Sequence, residues 1–451
     1  MVKDMTEGKP LRLMIRFSLP LLLSNALQMV YAITDSAVLG RMLGVNAFAA
    51  VGASVSLHWF VLSFVMGTAQ GFGVIFAQRF GAKDTQGLGR AFVTAAYLSA
   101  GLGVAVGAVG VPGCGSILRL LNTPPELLGG AVIYMSFVFG GVPVTFIYNL
   151  LSCTLFALGD SKTPLKAMIL SSLVNIALDF ALVIPFGIAG VAVATPLAQT
   201  VACIYSAVVL KKTGVMKGCG FRWDPASARA LLRIGLPLGL RNAVIEVGGL
   251  VIQRYVNNYG VEFVAGVALA KRMYSLLMMC GGAIEAAVAT FVAQNYGAGL
   301  LGRVKRGVRD GLLLAMTSSA VIMAIVLPFG RLLLSMLMGG DPAQVAEVLD
   351  VGARQLSMLA LGLPVLCLLF LYRSALQGVG NALISMLSGV LELLVRIASL
   401  VILTPVLAGT GVMLAECVGW APVALLLLVS YYAVFNGINK RAAIKENAVA
   451  Q

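Results

Sequence analysis

Residues 16–41 read RFSLPLLLSNALQMVYAITDSAVLGR, and this run decides the fold. As a helix rising 1.5 Å per residue it is long enough to cross the hydrocarbon of a bilayer. Yet it holds a carboxylate, Asp35, well inside it. An ionisable group at that depth is costly, so it should face a cavity and have partners there. On one helix Ser24, Gln28, Tyr31 and Asp35 fall at i, i+4, i+7 and i+11. They form one polar stripe, with lipid-compatible residues elsewhere, and such a stripe is expected to line an aqueous cavity.

The rest of the chain has the same character. Of its 451 residues 59% are hydrophobic and 11% charged, where a soluble domain carries about 25% charged residues. The expected class is an all-α polytopic membrane protein. The formal net charge of +14 would suggest nucleic acid in a soluble chain, but here the basic residues sit in short connections between apolar runs, so no nucleic-acid partner is expected. The seven cysteines are isolated and there is one histidine. Neither a zinc site, a disulfide framework nor a cofactor is indicated, and the chain does not read as an enzyme. The charged N-terminus precedes an apolar run too long for a signal peptide and without a small-residue cleavage site, so that run is expected to be a retained first span.

Apolar runs of spanning length lie at roughly 14–39, 51–78, 91–112, 130–157, 164–186, 188–210, 234–258, 273–294, 311–329, 355–379, 382–405 and 411–436, about twelve helices. One set of connections, with both tails, holds 22 of the 32 Lys and Arg residues, among them Lys3, Arg79, Lys83, Lys162, Lys211, Lys212, Lys217, Arg303 and Lys440. The alternate set holds seven, including Arg41 and Arg119. By the positive-inside rule both termini are expected in the cytoplasm, and the membrane is expected to be the bacterial inner membrane.

The chain repeats itself. Arg16-Phe17-Ser18-Leu19-Pro20 with Asn25-Ala26 returns as Arg233-Ile234-Gly235-Leu236-Pro237 with Asn242-Ala243. Ala77-Gln78-Arg79-Phe80-Gly81-Ala82 returns as Ala293-Gln294-Asn295-Tyr296-Gly297-Ala298, and Gly190-Val191 as Gly411-Val412. Each copy has six spans, so the two enter the membrane in the same direction and are related by a pseudo-twofold axis along its normal. Parallel repeats of this kind are a transporter architecture, with a substrate cavity between the halves. The expected organisation is an N-terminal lobe over 1–210, a cytoplasmic linker over 211–233 marked by Gly214, Gly218 and Gly220, and a C-terminal lobe over 234–451.

In the fifth span Asn175 and Asp179 stand at i and i+4, with Ser171 a turn earlier, and the sixth carries Thr195 and Gln199. Asp35 lies about 9 Å inward from Arg41, and Asp179 and Thr195 each about 12 Å from the turn at Gly187. Asp35, Asn175, Asp179 and Thr195 can therefore converge in the N-terminal lobe. Two carboxylates in one low-dielectric cavity need compensation, either a proton on one of them or a small cation such as Na⁺ among hard oxygens. Either makes an ion switch. In the second copy Asp35 aligns with Ile252, Asn175 with Arg396 and Asp179 with Leu400, so the site is not demanded by the architecture. The bland alternative has Asp35 and Asp179 merely capping a broken helix or bonding a neighbour, and Thr195 back-bonding to its own helix. Gln28, Tyr31, Gln199, Glu246 and Glu285 are candidate cavity-lining residues; Glu392 and Arg396 are an i, i+4 pair expected to be structural. His58, beside Trp59, is expected to be interfacial.

The opening MTEGKPLRLMIRFSLPLLLSNALQMVYAITDSAVLGRMLG, FAAVGAS at 48–54, FAQRFGAKD at 76–84 and FVAQNYGAG at 291–299 resemble the multidrug and toxic compound extrusion (MATE) family, on its bacterial DinF-like branch. The resemblance covers essentially the whole chain. It implies a secondary antiporter that expels small organic, often cationic, compounds in exchange for H⁺ or Na⁺. On that branch a first-span Asp, a fifth-span Asn and Asp and a sixth-span Thr are implicated in cation binding, which map onto Asp35, Asn175, Asp179 and Thr195. Other branches place carboxylates in the C-terminal lobe, where Glu246 falls near such a position in a poorly matching context. No obligate protein partner is implied.

Two alternatives carry different expectations. A flippase for a lipid-linked precursor calls for a cavity rich in Lys and Arg, and the spans are nearly free of both. An intramembrane aspartyl protease using Asp35 and Asp179 calls for a Gly-Asp active-site context; Asp179 sits instead in IALDF, and Gly159-Asp160 lies at a cytoplasmic turn.

Overall fold

The computed structural model describes residues 3–214, 220, 222–338 and 342–449; Lys217, Gly218 and Cys219 of the expected linker lie outside the described residues. The chain is helical throughout: α1 (Pro10–Gly81), α2 (Thr85–Leu120), α3 (Pro125–Ala157), α4 (Lys162–Phe186), α5 (Ile188–Lys212), α6 (Pro225–Val256), α7 (Val261–Gly297), α8 (Leu301–Ser335), α9 (Pro342–Gly378), α10 (Ala382–Leu407) and α11 (Gly409–Val449). Gly44, at φ 82°, breaks α1 into two arms. Among the described residues 12 helical stretches are long and apolar enough to span a membrane, two of them, Pro10–Tyr31 and Val38–Gly81, within α1. Backbone groups in hydrocarbon must be satisfied within the segment, and uninterrupted helices do this.

The chain forms two compact units. The first comprises 1–5 and 19–243, the second 6–18 and 244–451. The division falls inside α6, and the start of α6 occupies the last part of the expected 211–233 connection. The physical reason is close packing of small residues: a Cβ on Gly71 of α1 would stand 2.5 Å from Gly235 Cα, and one on Gly67 2.5 Å from Leu238 O. Backbones that approach this closely hold the first turns of α6 in the first unit. Residues 6–18 group with the second unit through the Ser18 hydroxyl, which donates to Ala283 O at 3.2 Å, and Arg303 Nη1, which donates to Gly8 O at 3.0 Å.

In the first unit α2 packs on α3, and α5 on both α3 and α4. One core is built from Leu57, Val61, Val65, Leu118, Met135, Phe139 and Phe146, and a smaller one from Val38, Leu39, Val183 and Val191. In the second unit α9 packs on α7 and α8, and α11 on α9 and α10; Ile252, Val256, Val267, Leu400, Val412 and Met413 form one of its cores.

The internal repeat is visible in backbone detail. Gly187, between α4 and α5, has φ 57°, and Ala408, between α10 and α11, has φ 49°. A Cβ on Gly190 would collide with Leu182 O, and one on Gly411 with Leu403 O, at the same offset of 221 residues. Asp160 and Asn381, at that offset too, precede α4 and α10. Asp160 Oδ1 accepts from the backbone N–H groups of Lys162 and Thr163, each at 3.1 Å, and Asn381 Oδ1 from that of Ile384 at 3.3 Å.

Candidate ion site of the first unit

Asn175 organises the site. It stands on α4 one turn before Asp179, 1% exposed, and Asp179 is 0% exposed. With its amide nitrogen turned toward the acids, Asn175 Nδ2 donates to Asp35 Oδ1 at 3.1 Å and to Asp179 Oδ2 at 2.9 Å. This orientation is fixed by the hydrogen-bond network, since the opposite one would face a carbonyl oxygen to two acceptors. One neutral side chain thus bridges two acids that are 144 residues apart.

The remaining contacts close the cluster. The carboxyl groups of Asp35 and Asp179 lie within hydrogen-bonding range of each other, and the Tyr31 hydroxyl within range of Asp35. Tyr31 Oη and Thr195 Oγ1 are 3.1 Å apart. Because an ionised carboxylate only accepts, Tyr31 donates to Asp35 and Thr195 then donates to Tyr31. Asp179 Oδ1 is buried and receives no N–H or O–H from the described residues. A buried acceptor in that condition is costly.

Toward the α4–α5 turn the cluster is sealed by apolar side chains. Val38 and Leu39 follow Asp35 by about one turn of α1, Val183 follows Asp179 on α4, and Val191 precedes Thr195 on α5; these four are 5%, 4%, 0% and 2% exposed. Deeper in α5, Gln199 Oε1 accepts from Thr145 Oγ1 at 2.8 Å, so Gln199 is tied to α3, one turn from Thr195.

Of the residues singled out in sequence, Tyr31, Asp35, Asn175, Asp179 and Thr195 are brought together. Gln28 is exposed on α1. Glu246 and Glu285 belong to the second unit: Glu246 is half-buried on α6, and Glu285 lines a cavity of about 10 Å³, room for roughly one water, with Gly281, Ile284, Cys367 and Phe370. Glu392 and Arg396 do pair, at 2.6 Å. His58 is half-buried, its ring is stacked on Tyr134 at 6.2 Å between centroids, and its Nδ1 is buried with no partner among the described residues.

Tyr134 of α3 is the neighbour that sequence reasoning missed, close enough to feel the charge of both Asp35 and Asp179. The available signal was depth: it lies nine residues into α3, about 13 Å along the axis, level with Asp179 and Thr195.

The MatE family model matches residues 20–181 and 237–403, one match in each half of the chain. The chain belongs to the MatE family. Among relatives of this MatE chain is the probable multidrug resistance protein YpnP of Bacillus subtilis (strain 168), 34% identical over 299 residues, covering 66% of this chain and 67% of that protein. The probable multidrug resistance protein NorM of Thermotoga maritima is 26% identical over 385 residues, 82% of this chain and 80% of that one. Among solved structures, a crystal structure of MATE in complex with MaL6 superposes with a TM-score of 0.88 at 21% identity, over 97% of this chain and 99% of the other. The MatE architecture of this chain is thus a twelve-span all-α transporter fold.

Proposed function

We propose that this MatE transporter exports small organic compounds, cationic ones among them, in exchange for a proton or a sodium ion bound at Asp35, Asn175, Asp179 and Thr195. The observation that carries the proposal is the bridge of Asn175 to two buried acids, with Asp179 Oδ1 left without a donor. Two carboxylates this close cannot both stay charged uncompensated, so the site exists in two states of charge and the surrounding helices respond to which one is present. The hard-oxygen set of two carboxylates, an amide and a hydroxyl fits a proton or Na⁺. With Na⁺ present the Asn175 amide would turn its Oδ1 inward; without it, Nδ2 holds the acids together as seen.

Coupling follows from differential affinity. The exported compound and the cation favour different states of the helices, so binding of one weakens the hold on the other and the gradient of the cation drives export. The apolar seal of Val38, Leu39, Val183 and Val191 supports access to the acids from the side away from the α4–α5 turn. The relatives' names, multidrug resistance proteins, support a broad substrate range. The concentration of Lys and Arg in one set of connections supports an inner-membrane placement with both termini in the cytoplasm.

The test is efflux of a fluorescent organic cation from vesicles containing the purified protein, with a pH gradient and a Na⁺ gradient imposed separately. Efflux under one gradient, lost in Asp35→Asn, supports antiport and names the ion. Efflux retained in a folded Asp35→Asn protein would sink the ion-site assignment.

A further inference from the structure

Basic residues of the second unit fall into two groups. Arg373 and Arg396 are buried and share Glu392, whose carboxylate accepts from Arg373 Nη2 at 2.9 Å and from Arg396 Nη2 at 2.6 Å. The second group is exposed: Lys9, Arg12 and Arg16 at the start of α1, and Lys305, Arg306 and Arg309 at the start of α8. These two helix starts adjoin each other. Arg303 Nη1 donates to Gly8 O at 3.0 Å, and a Cβ on Gly311 would stand 3.8 Å from Met14 Sδ. Each start turns its bases to one face. On α1 Leu13, Met14, Phe17 and Ser18 are buried, while Lys9, Arg12, Ile15 and Arg16 fall within about 120° of one another around the axis. On α8 Val304, Gly307 and Val308 are buried, and Lys305, Arg306, Arg309 and Leu313 share the opposite face within about 100°. Ile15 is 39% and Leu313 60% exposed. In a chain that spans a bilayer such apolar side chains face lipid, and Lys and Arg at the end of the same face hold their charges at headgroup level with their stems along the acyl chains.

Topology alone does not account for the number of bases. The positions that repeat Lys9, Arg12, Arg16, Lys305, Arg306 and Arg309 in the first unit hold Ala226, Arg229, Arg233, Gly89, Arg90 and Val93, half the charge. The first unit also places acids at the same helix starts. Asp84 Oδ1 accepts from the Gly87 N–H at 2.8 Å before α2, and Asp224 accepts from the N–H groups of Ala226 and Ser227, each at 3.2 Å, at the start of α6. By contrast α1 and α8 have no acid in their first turn, and α8 begins at Leu300 without a side-chain cap. A helix start carries partial positive charge of its own, so bases there repel it. The nearby acids are Glu7, exposed ahead of α1, and half-buried Asp310 of α8. Six bases against two acids leave a positive surplus on a face that lipid covers.

We propose that the adjoining starts of α1 and α8 are a docking surface for anionic phospholipids of the leaflet they enter, with phosphates against the six bases and acyl chains along Ile15 and Leu313. Clusters of four to eight Lys and Arg beside a membrane span attract anionic headgroups, and guanidiniums suit phosphate oxygens in particular. The lipid supplies the negative charge that Asp84 and Asp224 supply in the first unit. This surface is independent of the export reading and of the ion site.

The experiment uses the purified full chain carrying Ile15→Trp, reconstituted in vesicles of equal parts phosphatidylglycerol and phosphatidylcholine, with brominated chains on one lipid or on the other. Bromine quenches an indole at contact, so the quenching beyond that of the parent, which has three tryptophans, reads which lipid lies against this face. Phosphatidylglycerol is expected to be favoured about fivefold, the attraction of a surface Lys or Arg to anionic lipid. Adding Arg12→Gln and Arg309→Gln should bring the two lipids to within about twofold of each other, whereas adding Arg90→Gln and Arg229→Gln in the first unit should leave the preference as it was. All four arginines are exposed, so their replacement changes stability little, and thermal unfolding checks this. Leu313→Trp reads the same preference from α8, so the test does not hang on one substitution. Equal quenching by the two lipids at both positions, a preference unmoved by Arg12→Gln with Arg309→Gln, or an equal fall with Arg90→Gln and Arg229→Gln would overturn the surface.

Discussion

Positions 35, 175 and 179 of the first unit are Asp, Asn and Asp, and the positions that repeat them in the second unit, 252, 396 and 400, are Ile, Arg and Leu. In the first unit these side chains meet as a bridged acid pair; in the second, Ile252 and Leu400 meet inside an apolar core, and Arg396 turns to Glu392 one helical turn away. The backbone around both is alike, down to the left-handed φ at Gly187 and Ala408. One scaffold therefore holds either a dry core or a pair of buried acids at the same place. The acids are not what the fold needs, and their desolvation cost is carried for a purpose outside folding.

The strongest way to break this contrast is at the acids. Asp35→Asn and Asp179→Asn, each nearly isosteric, are expected to reduce gradient-driven efflux by about a hundredfold, in keeping with coupling free energies of roughly 1–3 kcal/mol. Thermal unfolding should show both variants folded, and no less stable than the parent, because a neutral amide replaces a buried acid. If either variant unfolds early instead, the acid pair is structural and the contrast between the units loses its meaning.

The second unit should respond in the opposite sense. Removing Glu392 as Glu392→Ala leaves Arg373 and Arg396 buried without their shared acceptor, a loss of about 3–5 kcal/mol for breaking a buried pair from one side. Stability, measured as thermal unfolding in detergent, should fall far more than for any variant at Asp35 or Asp179. An unfolding temperature unchanged by Glu392→Ala would show that water already compensates the two guanidiniums.

These residues also show what a sequence discloses and what it withholds. Asp35, Asn175 and Asp179 were legible because each breaks an apolar period, and counting residues to the helix end places them at one depth. Glu392 and Arg396 were legible as an i, i+4 pair. Arg373 was not, because its partner lies 19 residues away on another helix, and spacing along one helix carries no information about which face a neighbour presents. Tyr134 escaped for the same reason, as did the stacking of His58 on its ring. Gln28 shares a face with Asp35 but lies seven residues earlier, about 10.5 Å along the axis. The stripe is real, and the cluster occupies only part of it.

A smaller effect tests the repeat itself. Ala408 holds φ 49° and ψ −131°, where a Cβ is strained, while Gly187 holds φ 57° and ψ −132° without one. Backbone in such a region costs an L-residue on the order of 1 kcal/mol or more. Ala408→Gly is therefore expected to raise the unfolding temperature and Gly187→Ala to lower it, each by about 1 kcal/mol of stability. Effects of the same sign would mean that the two turns differ in some way their dihedral angles do not show.

The smallest expected difference lies at the caps and appears only in acid. Asp160 and Asn381 cap α4 and α10 in the same way, but only Asp160 titrates. Burial works against its ionisation, yet the hydrogen bonds it accepts, those from the Thr163 backbone and hydroxyl among them, outweigh this and hold its carboxyl below the usual carboxylate range. A pKa lowered in the folded state gives stability that is fully present above the unfolded value, near pH 4, and is lost as pH falls through the folded value. Asp160→Asn keeps the acceptor and removes the proton dependence. Its unfolding temperature should therefore match the wild type's more closely as pH drops below about 4, while an Asn381→Asp variant should acquire the acid dependence that α10 now lacks. Parallel acid profiles for wild type and Asp160→Asn would mean that the charge at this cap contributes nothing, and that in both units the cap works as a hydrogen-bond acceptor alone.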